Sequence, residues 1–412
     1  MKKKFGITLG LCLAFCLLGS GMSSHFDTKR ANAEEGEIHA NLQQNPVRTL
    51  EKDKNGVRCR AKSAYLMDFG TESVIFSKNE TERLPIASMC KIMTLALCFD
   101  AIKSGNLSME EEIQVSETAS SMGGSQVFLE ANAKYPVKEL LKSIVVCSAN
   151  DSCVAMAERL CGSEEAFVDK MNEKAKILGC NDTLFANCTG LPKEPQYSCA
   201  KDVAIILKEV LKNPEYYEFS KVWTDKFEHQ EGRFTEITNT NKLVRFYDGC
   251  DGGKTGFTNQ AGFCLAATAK RNEMRIISVV IGEENSANRF EDVKGMFNYA
   301  FANYTVKPIV VEGEILDETA FVDGGKSQAL KIAPMRSAYA FLKRGEKASV
   351  TIETTLYPLR APVCKGQTVG ELIVFDGGVE KERIPLVALE NMEKAGFIDR
   401  FKDIANNWTA RN

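Results

Sequence analysis

Apolar positions change their spacing along the chain, separating a long mixed block from a shorter strand-only block. From Lys62 to about Asn303 the helical period near 3.6 and the strand period of 2 are interleaved. From about Val306 to Val387, short Val, Ile, Thr and Leu runs are separated by Gly-Gly, Arg-Gly and Lys-Gly turns, which predicts a small all-β domain. Within the first block, Ala64–Met67 and Ser73–Phe76 flank Asp68-Phe69-Gly70-Thr71 as the arms of a hairpin. Pro85 and Ala87-Ser88 introduce a helix over Met89–Ile102, with Ile92, Leu95, Ala96 and Phe99 on one face. Asp151–Leu160, stopped by Gly162, and Ala200–Leu211 predict two further helices. Phe263–Ala269 and Arg275–Gly282, joined through Arg271-Asn272-Glu273, predict a strand pair. The expected class is therefore α/β (α+β), followed by the β-rich domain.

Both ends of the chain carry patterns of another kind. Lys2–Lys4 precede Phe5–Gly19, an uncharged run of 15 residues, and Ala31-Asn32-Ala33 then offers small residues at a cleavage position. This is the pattern of an export signal spanning 1–33. An uncleaved anchor helix is the other reading, but Ser20, Gly21, Ser23 and Ser24 leave the fully apolar part shorter than the about 18 residues a span needs. Either way the body of the protein is expected outside the cytoplasm. At the other end, Leu386–Trp408 places Phe397, Phe401, Ile404 and Trp408 at steps of four, three and four, an amphipathic stripe suited to a membrane surface or to the β domain.

Charge narrows the choice of partner. The whole chain balances 52 Lys and Arg against 55 Asp and Glu, and without residues 1–33 the balance is 47 against 54. A mildly acidic body lacks the positive field that phosphate backbones require, so no nucleic acid is expected. Fourteen cysteines would suit a disulfide scaffold in an exported chain. There is no Cys-x-x-Cys, however, and Cys98, Cys147, Cys153 and Cys264 lie in apolar stretches, so most read as free packing thiols and point to a reducing or anoxic habitat. Beyond the export signal only His39 and His229 remain, with no cluster at metal-ligand spacing; no metal is expected.

The candidate chemistry lies in three short motifs. Ser88-Met89-Cys90-Lys91 puts a hydroxyl and an amine three residues apart at a helix start, so the side chains share one turn. With so little histidine available, Lys91 is the base that could activate Ser88, and a lysine's reference pKa of about 10.4 has to fall for that work through burial or a neighbouring cation. A second Ser-x-x-Lys, Ser198-Cys199-Ala200-Lys201, reads as an N-cap serine and a solvated lysine. Ser148-Ala149-Asn150 follows the apolar run Ile144–Cys147 and precedes a helix, which holds it at a structured corner. Ser104-Gly105-Asn106 reads instead as a helix-ending loop. Lys254-Thr255-Gly256 follows Asp251-Gly252-Gly253 and sets a cation and a hydroxyl along a sheet edge that substrate backbone can approach closely.

Ser-x-x-Lys, Ser-x-Asn and Lys-Thr-Gly in this order resemble the motif set of penicillin-binding proteins and serine β-lactamases. Arg83–Thr94, Ser148–Ala155, Asp251–Thr258, Phe185–Pro192 and Gln196-Tyr197-Ser198 narrow the likeness to the low-molecular-mass D-alanyl-D-alanine carboxypeptidases, over most of Lys62–Asn303. The resemblance implies a transpeptidase-like domain over 45–303, a β-rich domain over 305–387 and an anchoring tail over 388–412. It implies a serine-type carboxypeptidase that removes the terminal D-alanine of peptidoglycan stem peptides, needs no cofactor and is acylated by β-lactams. Ser88 would be the nucleophile, Lys91 the base and Ser148 a proton relay. Asn150 would hold Lys91 and the substrate amide; Lys254 and Thr255 would bind the terminal carboxylate, with Gly256 beside them. The backbone N–H groups of Ser88 and Phe257 would form the oxyanion hole. Met122–Leu129 resembles the loop bordering the cleft, with Ser125 lining it. Arg289 is either the arginine that assists carboxylate recognition or an exposed residue on the helix leading to Phe297. A D,D-endopeptidase would use the same motifs. A class A β-lactamase would need a Glu-x-x-Leu-Asn between the second and third motifs, which is missing, and a non-catalytic binding module would not need both Ser88 and Lys91.

Overall fold

Strand β1 (Ser63–Asp68) runs through a tight turn into β2 (Val74–Lys78), the predicted hairpin. Its turn is tied by Asp68, whose Oδ2 accepts from the Thr71 N–H at 2.7 Å and the Thr71 hydroxyl at 2.9 Å. A 3-10 turn, Ala87–Cys90, opens directly into helix α1 (Lys91–Lys103), which ends at Ser104 with Gly105 at φ +75°. Short strands β3 (Glu112–Gln114) and β4 (Lys134–Pro136) pair before the helices α2 (Val137–Val146), α3 (Asn150–Cys161), α4 (Glu164–Ile177) and α5 (Ala200–Leu211). A hairpin of β5 (Thr224–Glu228) and β6 (Phe234–Thr238) precedes the long strands β7 (Cys250–Thr258), β8 (Gly262–Arg271) and β9 (Met274–Glu283), and helix α6 (Ser286–Asn303) follows. This computed structural model describes residues 56–399 apart from Gln328.

The central sheet is antiparallel, in the order β2-β1-β9-β8-β7. Period-two alternation divides its side chains between two cores. Tyr65, Met67, Ala266, Ile277, Val279 and Ile281 face the helical core built on α1, α2, α3 and α5. Ala64, Leu66, Leu265, Ala267, Ile276 and Val280 face α6 through Val293, Met296, Phe297 and Ala300. Burial on both faces explains why β1 and β9 read as continuous apolar runs in the sequence. Strand β7 is left at the edge beside the turn that carries Ser88.

The C-terminal block is all β. Strands β10 (Tyr304–Val310) and β13 (Ala338–Lys343) pair, and a six-stranded sheet runs β14-β16-β17-β12-β11-β15. Its members are β11 (Thr319–Asp323), β12 (Ala329–Pro334), β14 (Val350–Leu356), β15 (Leu359–Arg360), β16 (Thr368–Asp376) and β17 (Val379–Ala388), packed over a core that includes Val322, Ile332, Leu372 and Ile384.

Two local expectations are corrected. The cap of α5 is Cys199, whose side chain accepts from the Asp202 N–H, and not Ser198. Ser198 is fully buried, bonded to the Thr183 hydroxyl at 2.8 Å and paired through its backbone with Leu84, while Lys201 is exposed as expected. Leu386–Ala388, read as the start of the tail, close β17, and Met392 and Lys394 still bridge to Val363 and Gly325. The amphipathic stripe from Phe401 onward and the export signal lie outside the described residues. No helix among the described residues is long and apolar enough to cross a membrane. Their twelve cysteines are all free thiols, nine of them buried.

Candidate active site

The turn that presents Ser88 is set by backbone geometry. Ala87 takes φ +48°, a region that costs a non-glycine residue on the order of 1–2 kcal/mol, and Ser88 follows it half-buried at the entry to α1. One turn on, Lys91 is fully buried and donates from Nζ to Ser88 Oγ at 3.0 Å and to the Thr189 carbonyl oxygen at 2.5 Å. The start of α1 grips the loop containing Thr189 at three successive carbonyls. Cys90 Sγ donates to the Asn187 oxygen at 3.2 Å, Thr94 Oγ1 to Cys188 at 2.7 Å, and Lys91 to Thr189. Asn187 shapes that loop from within, its Oδ1 accepting from the Gly190 N–H at 2.7 Å and the Thr189 N–H at 3.2 Å. Gly190 sits at φ +81°, and a methyl group there would stand 2.0 Å from the Ala87 oxygen. The nucleophile's turn and the lysine's carbonyl partner thus touch backbone to backbone.

Ser148, at the corner between α2 and α3, also lies in the left-handed region at φ +69°. Its hydroxyl is buried and has no hydrogen-bond partner, an uncommon state that leaves it free to bond an incoming group. Asn150 departs from the expected arrangement. Its amide nitrogen donates to the Gly123 oxygen at 2.7 Å, its Oδ1 is buried without a partner, and Lys91 is held by Thr189 instead. The cleft-bordering segment is fixed by Asp151, whose carboxylate accepts from Val127, Leu129 and Ser152 N–H groups at 2.9–3.3 Å. Ser125 is exposed there, and its backbone oxygen accepts from the Asn150 N–H at 2.7 Å.

Strand β7 closes the other side. A methyl group on Gly256 would meet the Ile86 oxygen at 2.6 Å and the Met89 nitrogen at 3.3 Å, so the strand backbone lies directly against the Ser88 turn. Lys254 is 2% exposed, and its Nζ donates to the carbonyl oxygen of Thr255 at 3.1 Å. Burial, reinforced by the nearby Lys91 charge, pushes its ammonium down from 10.5 to about 7. Thr255 is buried, whereas Phe257 is half exposed and stacks on Phe263 with ring centroids 4.2 Å apart. Arg289 is not a solvated helix residue. Its Nη1 donates to the Gly256 and Cys264 oxygens at 3.2 and 3.4 Å and its Nη2 to Ser286 Oγ at 3.2 Å, backing β7 from behind.

Taken together, a hydroxyl bonded to a buried amine faces an edge strand carrying a second buried amine, and the corner between α2 and α3 carries an unpartnered hydroxyl and carboxamide oxygen. That donor set fits acyl transfer to serine. Two positioning elements escaped the sequence reading of the site, the Thr189 carbonyl and the Asp151 carboxylate. The first is a main-chain group, for which residue type gives no signal; the second follows Asn150 directly.

Residues 49–285 match the D-alanyl-D-alanine carboxypeptidase family, and residues 304–394 match the penicillin-binding protein 5, C-terminal domain family. The D-alanyl-D-alanine carboxypeptidase DacF of Bacillus subtilis is 40% identical over 354 residues, which span 85% of this chain and 90% of that protein. A peptidoglycan synthesis regulatory factor, PBP3 from Streptococcus pneumoniae, is similar in structure with a TM-score of 0.69 at 28% identity, over 81% of this chain and 99% of that one. Penicillin-binding protein D2 from Listeria monocytogenes, solved with ampicillin bound, is similar at a TM-score of 0.53 and 27% identity over 59% of this chain and 98% of that one. With matches across both domains and a relative of this identity and coverage, the chain belongs to the D-alanyl-D-alanine carboxypeptidase family of low-molecular-mass penicillin-binding proteins.

Proposed function

We propose that the protein is a serine-type D-Ala-D-Ala carboxypeptidase that removes the terminal D-alanine from peptidoglycan stem pentapeptides through an ester on Ser88. The observation that carries this reading is the 3.0 Å hydrogen bond between Lys91 Nζ and Ser88 Oγ, made by a fully buried lysine. Lys91 takes the Ser88 proton as Oγ attacks the carbonyl between the two D-alanines. The backbone N–H groups of Ser88 and Phe257 receive the developing oxyanion, each such donor being worth about 2.7–4 kcal/mol. Ser148 passes the proton to the leaving amine, the C–N bond breaks, and D-alanine departs. Water then adds to the ester carbonyl, giving its proton to Lys91, and the Ser88 oxygen leaves as the hydroxyl. Lys254 and Thr255 hold the substrate's terminal carboxylate, Asn150 offers its Oδ1 to the substrate amide N–H, and Arg289 keeps the field behind β7 positive. Penicillins, which mimic the substrate terminus, acylate Ser88 and stay there. Residues 1–33 direct export, the enzyme acts on the outer face of the cytoplasmic membrane or in the wall, and the tail beyond Lys394 lies on the membrane surface.

The test is a product assay on a pentapeptide ending in D-Ala-D-Ala, run beside a cross-linked peptidoglycan dimer. Release of free D-alanine from the first with the dimer left intact is expected. Cleavage of the dimer without release of D-alanine from the pentapeptide would replace this reading with that of an endopeptidase.

A further inference from the structure

Away from the cleft, a second group of reactive side chains converges where the chain enters the catalytic domain. Cys59, Glu283 at the end of β9 and Asp292 on α6 bring a thiol sulfur and two carboxylate oxygens within 4.8 Å of one another, all buried. Glu283 is 1% exposed, and no backbone N–H or basic side chain donates to either of its oxygens; its one polar neighbour within hydrogen-bonding reach is the Asp292 carboxyl. A buried carboxylate left in that state is costly. Its neighbours, by contrast, are fixed. Arg60 donates its backbone N–H to Asp292 Oδ2 at 2.5 Å and its Nε and Nη2 to Oδ1 at 2.9 and 2.6 Å. Lys78 Nζ donates to the Cys59 carbonyl oxygen at 2.9 Å and so holds the backbone that carries the thiol.

A positive centre belongs between Glu283 and Asp292, and two kinds fit: a shared proton or a metal cation. The thiol separates them. A carboxyl–carboxylate pair gains nothing from a sulfur at ligand spacing, whereas one sulfur and two carboxylate oxygens suit a borderline-soft divalent ion and disfavour magnesium or calcium. Zinc binds sulfur at about 2.3 Å and carboxylate oxygen at about 2.0–2.2 Å, so its tetrahedral ligand atoms stand roughly 3.3–3.8 Å apart, against separations of up to 4.8 Å in the metal-free cluster. Arg60 on Asp292 is the outer-shell partner that ligating carboxylates usually have. A cleft lined by Val57, Arg58, Arg60, Glu291 and Asp292 gives access from solvent.

We propose that Cys59, Glu283 and Asp292 form a zinc site that ties the segment entering the domain to β9 and α6, on the opposite face of the sheet from the helical core under Ser88. On binding, Cys59 releases its thiol proton and Glu283 the proton shared with Asp292, both to solvent, and the cation takes their place. Three protein ligands leave the fourth tetrahedral position to a water molecule, and no redox step is involved.

Full-length protein stripped with a chelator and titrated with cobalt(II) is expected to bind one equivalent, with a thiolate-to-cobalt charge-transfer band that zinc abolishes, and to melt higher with zinc than without. Cys59→Ser removes the band and Glu283→Gln weakens binding. Arg60→Ala, which strips the side-chain hydrogen bonds from Asp292, weakens binding about 10–100-fold. Labelling by a fluorescent penicillin reports that each variant is folded, because Cys59, Glu283 and Arg60 all lie outside the active-site cleft at Ser88. The proposal is overturned if the wild type shows no more cobalt–thiolate absorbance than Cys59→Ser. It is also overturned if Glu283→Gln melts above the wild type while zinc shifts neither, the pattern of two carboxyl groups sharing a proton.

Discussion

Replacing Gly190 with alanine should disable the nucleophile without touching it. The residue sits at φ +81°, where an L side chain costs roughly 1–2 kcal/mol. The new methyl carbon would lie 2.0 Å from the Ala87 oxygen, so ordinary contact at 3.4 Å demands a displacement of about 1.4 Å. Overpacking of this kind adds about 1–3 kcal/mol, for a total near 2–5 kcal/mol and a drop in Tm of roughly 4–20 °C for a domain of this size. Because the atoms displaced belong to the turn holding Ser88 on one side and the loop presenting Thr189 on the other, the Ser88–Lys91 contact stretches as well. Misplacement by about 1 Å costs on the order of 100-fold in rate. The assay is the second-order rate of acylation by a fluorescent penicillin, read beside a thermal melt. A variant that melts lower yet is acylated at the wild-type rate would refute the step from this turn to the nucleophile. One that matches the wild type in both would refute the packing argument itself.

Lys254 should govern the alkaline limb of the pH profile. With its ammonium pushed down to about 7, it is charged below that pH and neutral above it, so carboxylate binding weakens and kcat/KM falls as pH rises through about 7. Lys254→Arg, charged throughout, should move that limb upward; an unchanged limb would assign the titration to another group. His229 should set acid tolerance. Burial, helped by Arg233, holds its pKa below 6.5, and the ring bonds the Tyr135 hydroxyl at 3.1 Å and the Thr235 hydroxyl at 2.9 Å, with Glu130 nearby as the opposing charge. The fold favours the neutral ring, so its contribution is full above about pH 6.5 and is lost as pH falls toward the folded-state value. His229→Gln should therefore flatten the dependence of Tm on pH below about 6.5, and a wild-type slope in the variant would place the acid-sensitive group elsewhere.

The parts of this molecule that were readable in advance are those whose signal is local. The hairpin at Asp68–Thr71, the helix opening at Ser88 and the strand pair around Arg271-Asn272-Glu273 are each specified by turn residues between periodic runs. The hydroxyl and amine of Ser88 and Lys91 meet because a helix turn requires it. What escaped was carried by tertiary contact. Any residue at 189 could offer the carbonyl that Lys91 binds, and the amide of Asn150 turned to Gly123 because that backbone oxygen came within reach only on folding. The cap at Cys199 instead of Ser198 is a shift of one position, decided by the burial of Ser198 against Thr183. Cys59, Glu283 and Asp292 show no ligand spacing because the sheet, not a motif, brings them together.

Which atom is acylated decides whether Ser88 is the nucleophile. Incubating the protein with benzylpenicillin, digesting it and mapping the added mass should place a penicilloyl group on Ser88, one per chain, with Ser88→Ala unmodified and Lys91→Met acylated far more slowly. An adduct on any other residue, or full-rate acylation of Lys91→Met, would contradict it.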